Sequence, residues 1–468
     1  MSRILITVHK FFPDHRAGTE VLTLKIAQEL KQRGHEILIV TADPPDTDAR
    51  HNQGPACRDY EYEGIAVHVV MESLRLTGYS FEHEYMHPQI QKHFGSLIDR
   101  FKPDFIHVMH AQNLSASVIR EAKARGLKVI LSPTDFWFIC PIVQLKRRDG
   151  TICEGPGPIA EPCLTCYTPE LIPPKAQLTQ ALEARFPILA RVPGGRAIAS
   201  LEALYNLYKG KKMKAARKAT IQRPTILRET GNSVDAICVP TKIMKSLFIK
   251  NGFKEELIHH IPFGIDTSLL EPYTQKTASD CLRIGFIGTL YEHKGVDILI
   301  RAFQKLSDSP AAILKIYGDP DQFPSYSKSL RQLVESVEKK RKQIEFAGTF
   351  PNQELGKILT DIDVLIVPSR WYENTPLVIQ SALATRTPLI ATNLGGMSEL
   401  IHHGENGFLF ELNNDDDLAK QLEKLQKDRS LLQKFQDNIG PQRNIARMVD
   451  DLESLYFKDN AVHTSGSS

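Results

Sequence analysis

The sequence has no window approaching the roughly 18 consecutive apolar residues of a membrane-spanning helix, so any membrane contact is expected to be peripheral. Charge of one sign is not in excess. Against 58 Lys and Arg stand 55 Asp and Glu, and a formal charge of +3 over 468 residues does not by itself argue for a nucleic-acid partner or an anionic surface. Cysteine is sparse at 7, which excludes a small disulfide-stapled module. The apolar stretch Ile4 to Val8 is too short for a signal-peptide core, so no export is expected and the cytoplasm is the expected compartment. No internal repeat is visible.

What is present is a globular composition, 42% hydrophobic and 24% charged, in a chain about three times the usual domain size. Short Ile/Val/Leu/Phe runs alternate with helical patterns, the mark of βαβ units around a parallel sheet. The runs are Ile4-Val8, Ile37-Thr41, Ile65-Val70, Phe105-Met109, Val129-Ser132, Val234-Val239 and His259-Ile261. A second set follows at Ile284-Ile287, Ala312-Tyr317, Ile344-Ala347, Val364-Val367 and Leu389-Ala391. Between the first two runs, Val21, Leu22, Ile26, Ala27 and Leu30 fall at helical spacing and Gly34 supplies a stop.

The expected organisation is α/β, with two Rossmann-like doubly wound domains. The first covers 1–268 and carries insertions at about 140–230, one rich in cysteine and one basic and helical. The second covers 269–441, a helix at 442–460 crosses back, and 461–468 is a flexible tail. Such domains bind ligands outside the C-terminal ends of their strands, and a cleft between them is the expected place.

Several loops at strand ends carry chemistry. Gly18 opens a helix after the first strand, where unpaired N–H groups can meet an anion or a hydroxyl. Gly288-Thr289 ends a strand in the second domain, and His293-Lys294-Gly295 opens the next helix, a place suited to neutralising a phosphate. Glu373-Asn374-Thr375-Pro376-Leu377 follows another strand, and Gly395-Gly396 with Glu399 follows the next. A carboxylate and a glycine pair so placed suit a sugar diphosphate.

Taken in order, the Gly18 loop, Pro103 to His107, Asp135 to Phe138, Pro262 to Asp266, Gly288 to Gly295, Glu373 to Val378 and Gly395-Gly396 with Glu399 resemble the family-four retaining glycosyltransferases of the GT-B fold. The resemblance implies transfer of a sugar from a UDP- or GDP-linked donor to a hydroxyl acceptor, such as a glycan, lipid-linked or small molecule. Anomeric configuration would be retained, no catalytic metal is implied, and polysaccharide biosynthesis is the implied setting. It assigns catalytic roles to Glu373, Lys294 and Asp135. Donor binding falls to Gly18, Gly288, Thr289, His293, Ser381, Asn374, Thr375, Pro376, Leu377, Gly395, Gly396 and Glu399.

Three positions depart from the family pattern. Ser381 stands where a ribose-binding Glu is common, Thr289 where an Arg often joins the lysine, and Thr134 where a His often precedes Asp135. A hydroxyl can still bind ribose, but the diphosphate charge is left more to Lys294. The alternative is a catalytically silent relative that binds a nucleotide-sugar or a protein partner. A GT-B sugar epimerase is a third reading, disfavoured because the Glu373 segment follows the transferase pattern.

Cys140, Cys153, Cys163 and Cys166, spaced C-x12-C-x9-C-x2-C, match a structural zinc site, with disulfides or unrelated thiols as the alternatives. Cys57, Cys238 and Cys281 read as ordinary thiols. From Tyr205 to Arg228 the chain is basic without an acidic residue, which fits either a solvated helix or peripheral contact with an anionic membrane; no nucleic acid is expected. His107 and His110 read as structural polar groups. Trp137 reads as core, and Trp371 as either a sugar-stacking residue or core.

Overall fold

The computed structural model describes residues 1–42, 57–71, 80–168, 195–336 and 343–458. The expected flexible tail and part of the cysteine-to-basic insertion lie outside them. Two compact units emerge: Met1–His15, Glu36–Ile237 and Leu247–Leu257 form the first, and Arg16–His35, Cys238–Ser246 and Ile258–Ser468 the second.

One sheet is built from β1 (Arg3–Thr7), β2 (Glu36–Ala42), β3 (Cys57–Tyr62), β4 (Ile65–Val70), β5 (Phe105–Val108), β6 (Lys128–Leu131), β7 (Ala236–Val239) and β8 (Ile258–His260). Its order is β3-β4-β2-β1-β5-β6-β7-β8. The chain builds outward from β1 on one side and returns to β5 on the other, so the topological switch lies between β1 and β5. β3 pairs antiparallel with β4, whereas β1 is parallel to both β2 and β5. The alternating polar and charged residues Arg58, Asp59 and Glu61 hide β3 from a search for apolar runs; it is a half-exposed edge strand.

The second unit contains β9 (Leu282–Ile287), β10 (Ala312–Tyr317), β11 (Ile344–Gly348), β12 (Val364–Val367), β13 (Leu389–Thr392) and β14 (Gly407–Phe410), all parallel, in the order β11-β10-β9-β12-β13-β14. Alternation sends Val364 and Ile366 to one face and Leu365 and Val367 to the other, and both faces are covered. Leu299, Phe303, Leu418 and Leu422 cover the first face; Ile379, Leu383 and Met397 cover the second. Each such side chain, fully buried, contributes about 1.5–3 kcal/mol.

Ion pairs tie early segments to late ones within the second unit. Arg33 Nη1 lies 2.7 Å from Asp450 and 2.6 Å from Glu453, and Lys25 Nζ lies 3.1 Å from Asp266. The helix Gly18–Gln32 thus packs on the helix Ile445–Tyr456 within the second unit. Gly264 belongs to the same unit, where a Cβ would come within 2.3 Å of the Asn444 carbonyl oxygen. Its glycine lets Ile265 exchange backbone hydrogen bonds with Arg443 and Ile445.

Among the described residues no helix is long and apolar enough to cross a membrane. The basic stretch lies in the helix Gly195–Gly231. Its Ala216, Ala219, Thr220, Arg223 and Leu227 are buried, while Lys211, Lys214, Arg217 and Lys218 are exposed. Arg223 is therefore a core residue. It pairs with Glu84 at 2.7 Å, donates to the Trp137 carbonyl at 2.7 Å and lies over the Trp137 ring.

Candidate active site

In the second unit the chain runs from β9 outward to β11 and then returns to β12, which makes β9/β12 the switch point. Lys294 follows β9, Glu373 follows β12, and Gly395-Gly396 follow β13. These three adjacent strands therefore deliver the predicted groups to one edge of the sheet.

Lys294 Nζ stands 2.5 Å from Glu373 Oε1. The same oxygen accepts hydrogen bonds from Ser369 Oγ and Trp371 Nε1, both at 2.8 Å. Burial alone would raise the Glu373 pKa, but the charge and hydrogen bond of Lys294, with the Ser369 donor, hold it below the usual value. Glu373 is thus kept as a buried carboxylate. Lys294 also lies 5.7 Å from the Trp371 ring centre, and His293 meets that ring at 5.2 Å.

A second pair braces the first. Asp297 receives Arg370 through two hydrogen bonds, of 2.8 and 2.7 Å, and Tyr326 donates to it at 2.8 Å. The Arg370 backbone N–H donates to the His293 carbonyl at 2.7 Å, pinning the loop before Glu373 to the turn bearing Lys294. The sequence reading missed Ser369, Arg370 and Asp297; the one available signal was a polar run beside the Glu373 motif. It also missed that the Trp371 indole serves as a donor.

The glycines differ in what they require. At Gly396 a Cβ would lie 1.5 Å from the Asn374 carbonyl oxygen, and its N–H donates to the Glu373 carbonyl at 2.8 Å. Gly395 has φ +62°, and Gly295 has φ +69° with Pro368 oxygen 2.0 Å from a would-be Cβ. Gly18 is unlike them: a Cβ there would make ordinary contact with Leu377 at 3.7 Å.

Among the other predicted donor residues, the Gly288 N–H donates to the Tyr317 carbonyl, and the Thr289 carbonyl accepts from Tyr291. Asn374 and Thr375 are buried, and Pro376 precedes the helix Leu377–Ala384. Ser381 Oγ donates back to the Leu377 carbonyl at 3.0 Å inside that helix. Glu399 caps a helix: its carboxylate accepts from the N–H groups of Lys242 and Ile243 at 2.9 and 2.8 Å.

Asp135 belongs to the first unit, at the end of β6. Its Oδ1 accepts from the Trp137 N–H and its Oδ2 meets His110 Nε2, both at 2.8 Å. Gln112 N–H donates to His110 Nδ1, so in the neutral ring Nε2 carries the proton toward Asp135. His9 lies with its ring 4.3 Å from that of His110, and burial lowers its pKa well below the usual range. His107, bonded to Ser132 and pushed down to about 3 by burial, is structural.

Cys140, Cys153, Cys163 and Cys166 are buried and free of disulfides. Burial pushes the Cys140 thiol up to about 11 and the Cys163 thiol up to about 12. Cys163 also feels Cys140, Cys153 and Cys166 electrostatically.

Comparison with known proteins bears on this arrangement. Residues 17–156 match the family model described as glycosyl transferase 4-like domain, and 275–440 match glycosyl transferases group 1. The chain belongs to the group 1 glycosyltransferases. An uncharacterized glycosyltransferase of Methanocaldococcus jannaschii is 30% identical over 212 residues, covering 45% of this chain and 54% of that one. A D-inositol 3-phosphate glycosyltransferase of Corynebacterium aurimucosum is 30% identical over 185 residues, covering 35% and 42%. The chain thus spans about half, or less, of the length of these relatives. Among solved structures, Anabaena HepE in complex with UDP-glucose superimposes with a TM-score of 0.63 at 16% identity, covering 97% of this chain and 99% of that one. At that identity the likeness speaks for the fold, which is GT-B.

Proposed function

We propose that this group 1 glycosyltransferase moves a sugar from a nucleotide-diphospho-sugar to a hydroxyl acceptor with retention of configuration and without a catalytic metal. The observation that carries the reading is the Lys294–Glu373 pair beside Gly395-Gly396 at the switch point of the parallel sheet.

In this reading Lys294 takes the diphosphate as donor binds, and its charge offsets the charge that grows on the leaving phosphate as the glycosidic bond breaks. Glu373, ionised and oriented by Ser369 and Trp371, accepts a hydroxyl of the donor sugar. Backbone groups around Gly18 and Gly395-Gly396 line the phosphate and sugar, with Gly288, Thr289, His293, Asn374, Thr375, Pro376, Leu377 and Ser381 around them. Asp135, ordered by His110, keeps the catalytic role that the family resemblance gives it. The UDP-glucose held by Anabaena HepE supports a nucleotide-sugar donor. The test is Glu373→Gln: loss of transfer with nucleotide binding kept supports the reading, and unchanged transfer overturns it.

Ser381 favours a second reading. Its hydroxyl donates to the Leu377 carbonyl, and a donor site without a charged ribose contact fits a catalytically silent relative that binds a nucleotide-sugar weakly. Product analysis with a range of acceptors separates the two.

The exposed face Lys211, Lys214, Arg217 and Lys218, with exposed Ile221 beside it, supports peripheral contact with an anionic membrane on its cytoplasmic side. Salt-sensitive sedimentation with anionic vesicles, weakened by reversing these charges, is the expected result. A structural zinc on Cys140, Cys153, Cys163 and Cys166 is proposed from their spacing alone: the four thiols are buried and free, but no three of their sulfurs lie within 4.8 Å of one another, and metal content is the test.

A further inference from the structure

We propose that Cys57, His68 and His93 form a zinc-class metal site at the edge of the first sheet. Their ligand atoms lie within 4.8 Å of one another, a convergence found among the described residues only here.

The topology assembles the site from separate pieces. Asp59 stands directly opposite His68 across the antiparallel β3/β4 ladder. Cys57, two residues before Asp59, points to the same face of β3. His93 comes from the helix Pro88–Phe101. An ion here would clip a half-exposed edge strand to a helix.

The chemistry of the histidines fits. His68 Nδ1 meets Asp59 Oδ1 at 2.5 Å, and the carboxylate, an acceptor only, fixes the proton on that nitrogen. His68 Nε2 therefore presents its lone pair toward His93 Nε2, 2.8 Å away, with the rings stacked. A carboxylate behind a ligating histidine is the usual support of a metal-bound imidazole. Two nitrogens each about 2.0–2.1 Å from a tetrahedral zinc stand roughly 3.3 Å apart, so a small opening of the pair admits the ion.

On binding, the Cys57 thiol gives its proton to solvent and ligates as thiolate, while the His93 proton passes through solvent from Nε2 to Nδ1, so that the ion takes the place of the hydrogen bond between the two neutral imidazoles. Three protein ligands leave the fourth tetrahedral position to water. A plain hydrogen-bonded histidine pair would explain His68 and His93, but not the thiol that joins them.

The experiment is titration of the metal-stripped full-length chain with cobalt(II), reading bound equivalents and the sulfur-to-cobalt charge-transfer band, for wild type, Cys57→Ser and His93→Gln. The proposal expects each variant to bind one equivalent less than wild type. Cys57→Ser should also lose part of the charge-transfer band. His93→Gln separates this site from the four-thiol cluster, which contains no histidine. Unchanged stoichiometry in either variant overturns the proposal, even if His93→Gln lowers thermal stability.

Discussion

Lys294 and Glu373, 79 residues apart in the chain, meet at 2.5 Å because they follow adjacent parallel strands at the point where strand order reverses. The pair is held from both sides. Arg370 on Asp297 fixes the loops, and Ser369 and Trp371 fix the carboxylate. Lys294→Met leaves a buried carboxylate with neutral donors only and is expected to cost about 1–3 kcal/mol at pH 7. The sign with pH follows from the depressed Glu373 pKa. In wild type its stabilising contribution is complete above the ordinary value of 4.5 and is lost as pH falls through the lower folded value. In the variant burial raises that pKa, so the stability gap should narrow on acidification below about pH 5; denaturant titrations of both proteins check it.

Gly396→Ala and Gly18→Ala should separate folding from function. At Gly396 the added methyl meets the Asn374 carbonyl at 1.5 Å, so the loop must move and stability should fall by several kcal/mol, at the severe end for one substitution. Gly18→Ala meets only Leu377 at 3.7 Å and should leave the melting temperature within a few degrees. If Gly18 approaches donor phosphate, its effect appears in turnover alone.

Glu399→Ala should lower stability by about 1–2 kcal/mol through loss of its helix cap at Lys242 and Ile243. Turnover at a temperature well below melting should change far less than in Glu373→Gln. A loss of turnover without loss of stability would return Glu399 to the donor pocket.

Lys276 supplies a pH signature of its own. Burial lowers its pKa to about 7, while its ammonium donates to the Leu359 carbonyl and the Thr387 hydroxyl. A folded value below the unfolded one means the unfolded chain holds the extra proton between pH 7 and about 10. Stability from this residue therefore rises with pH there, by up to about 1 kcal/mol per unit. Lys276→Met should flatten that slope, read from unfolding curves at pH 7, 8 and 9.

Both sheets were legible because their inner strands are mostly apolar runs: Val364–Val367 is apolar throughout, Ala312–Tyr317 is broken only by Lys315, and both have the bounds their sequence implies. The edge strands β3 and β14 were not, since half of β3 is charged and Gly407–Phe410 is short and glycine-led. At the site, Lys294 and Glu373 were readable as a cation and a carboxylate in strand-end loops. The supports were not: Arg370 finds Asp297 73 residues away, a pairing that no local spacing encodes. The helix cap made by Glu399 was hidden for the same reason, because its partners, the backbone N–H groups of another helix, leave no trace in sequence. Cys57 lacks a spacing signal because its histidine companions come from a different strand and a helix.

The most direct test of the account is calorimetric titration of the full chain with UDP, GDP and ADP, with Lys294→Ala in parallel. The account predicts saturable binding of one nucleoside diphosphate, weakened at least tenfold by the substitution, about 1.4 kcal/mol. No binding of any of the three up to millimolar concentration, or equal binding by Lys294→Ala, would contradict a donor site built on Lys294.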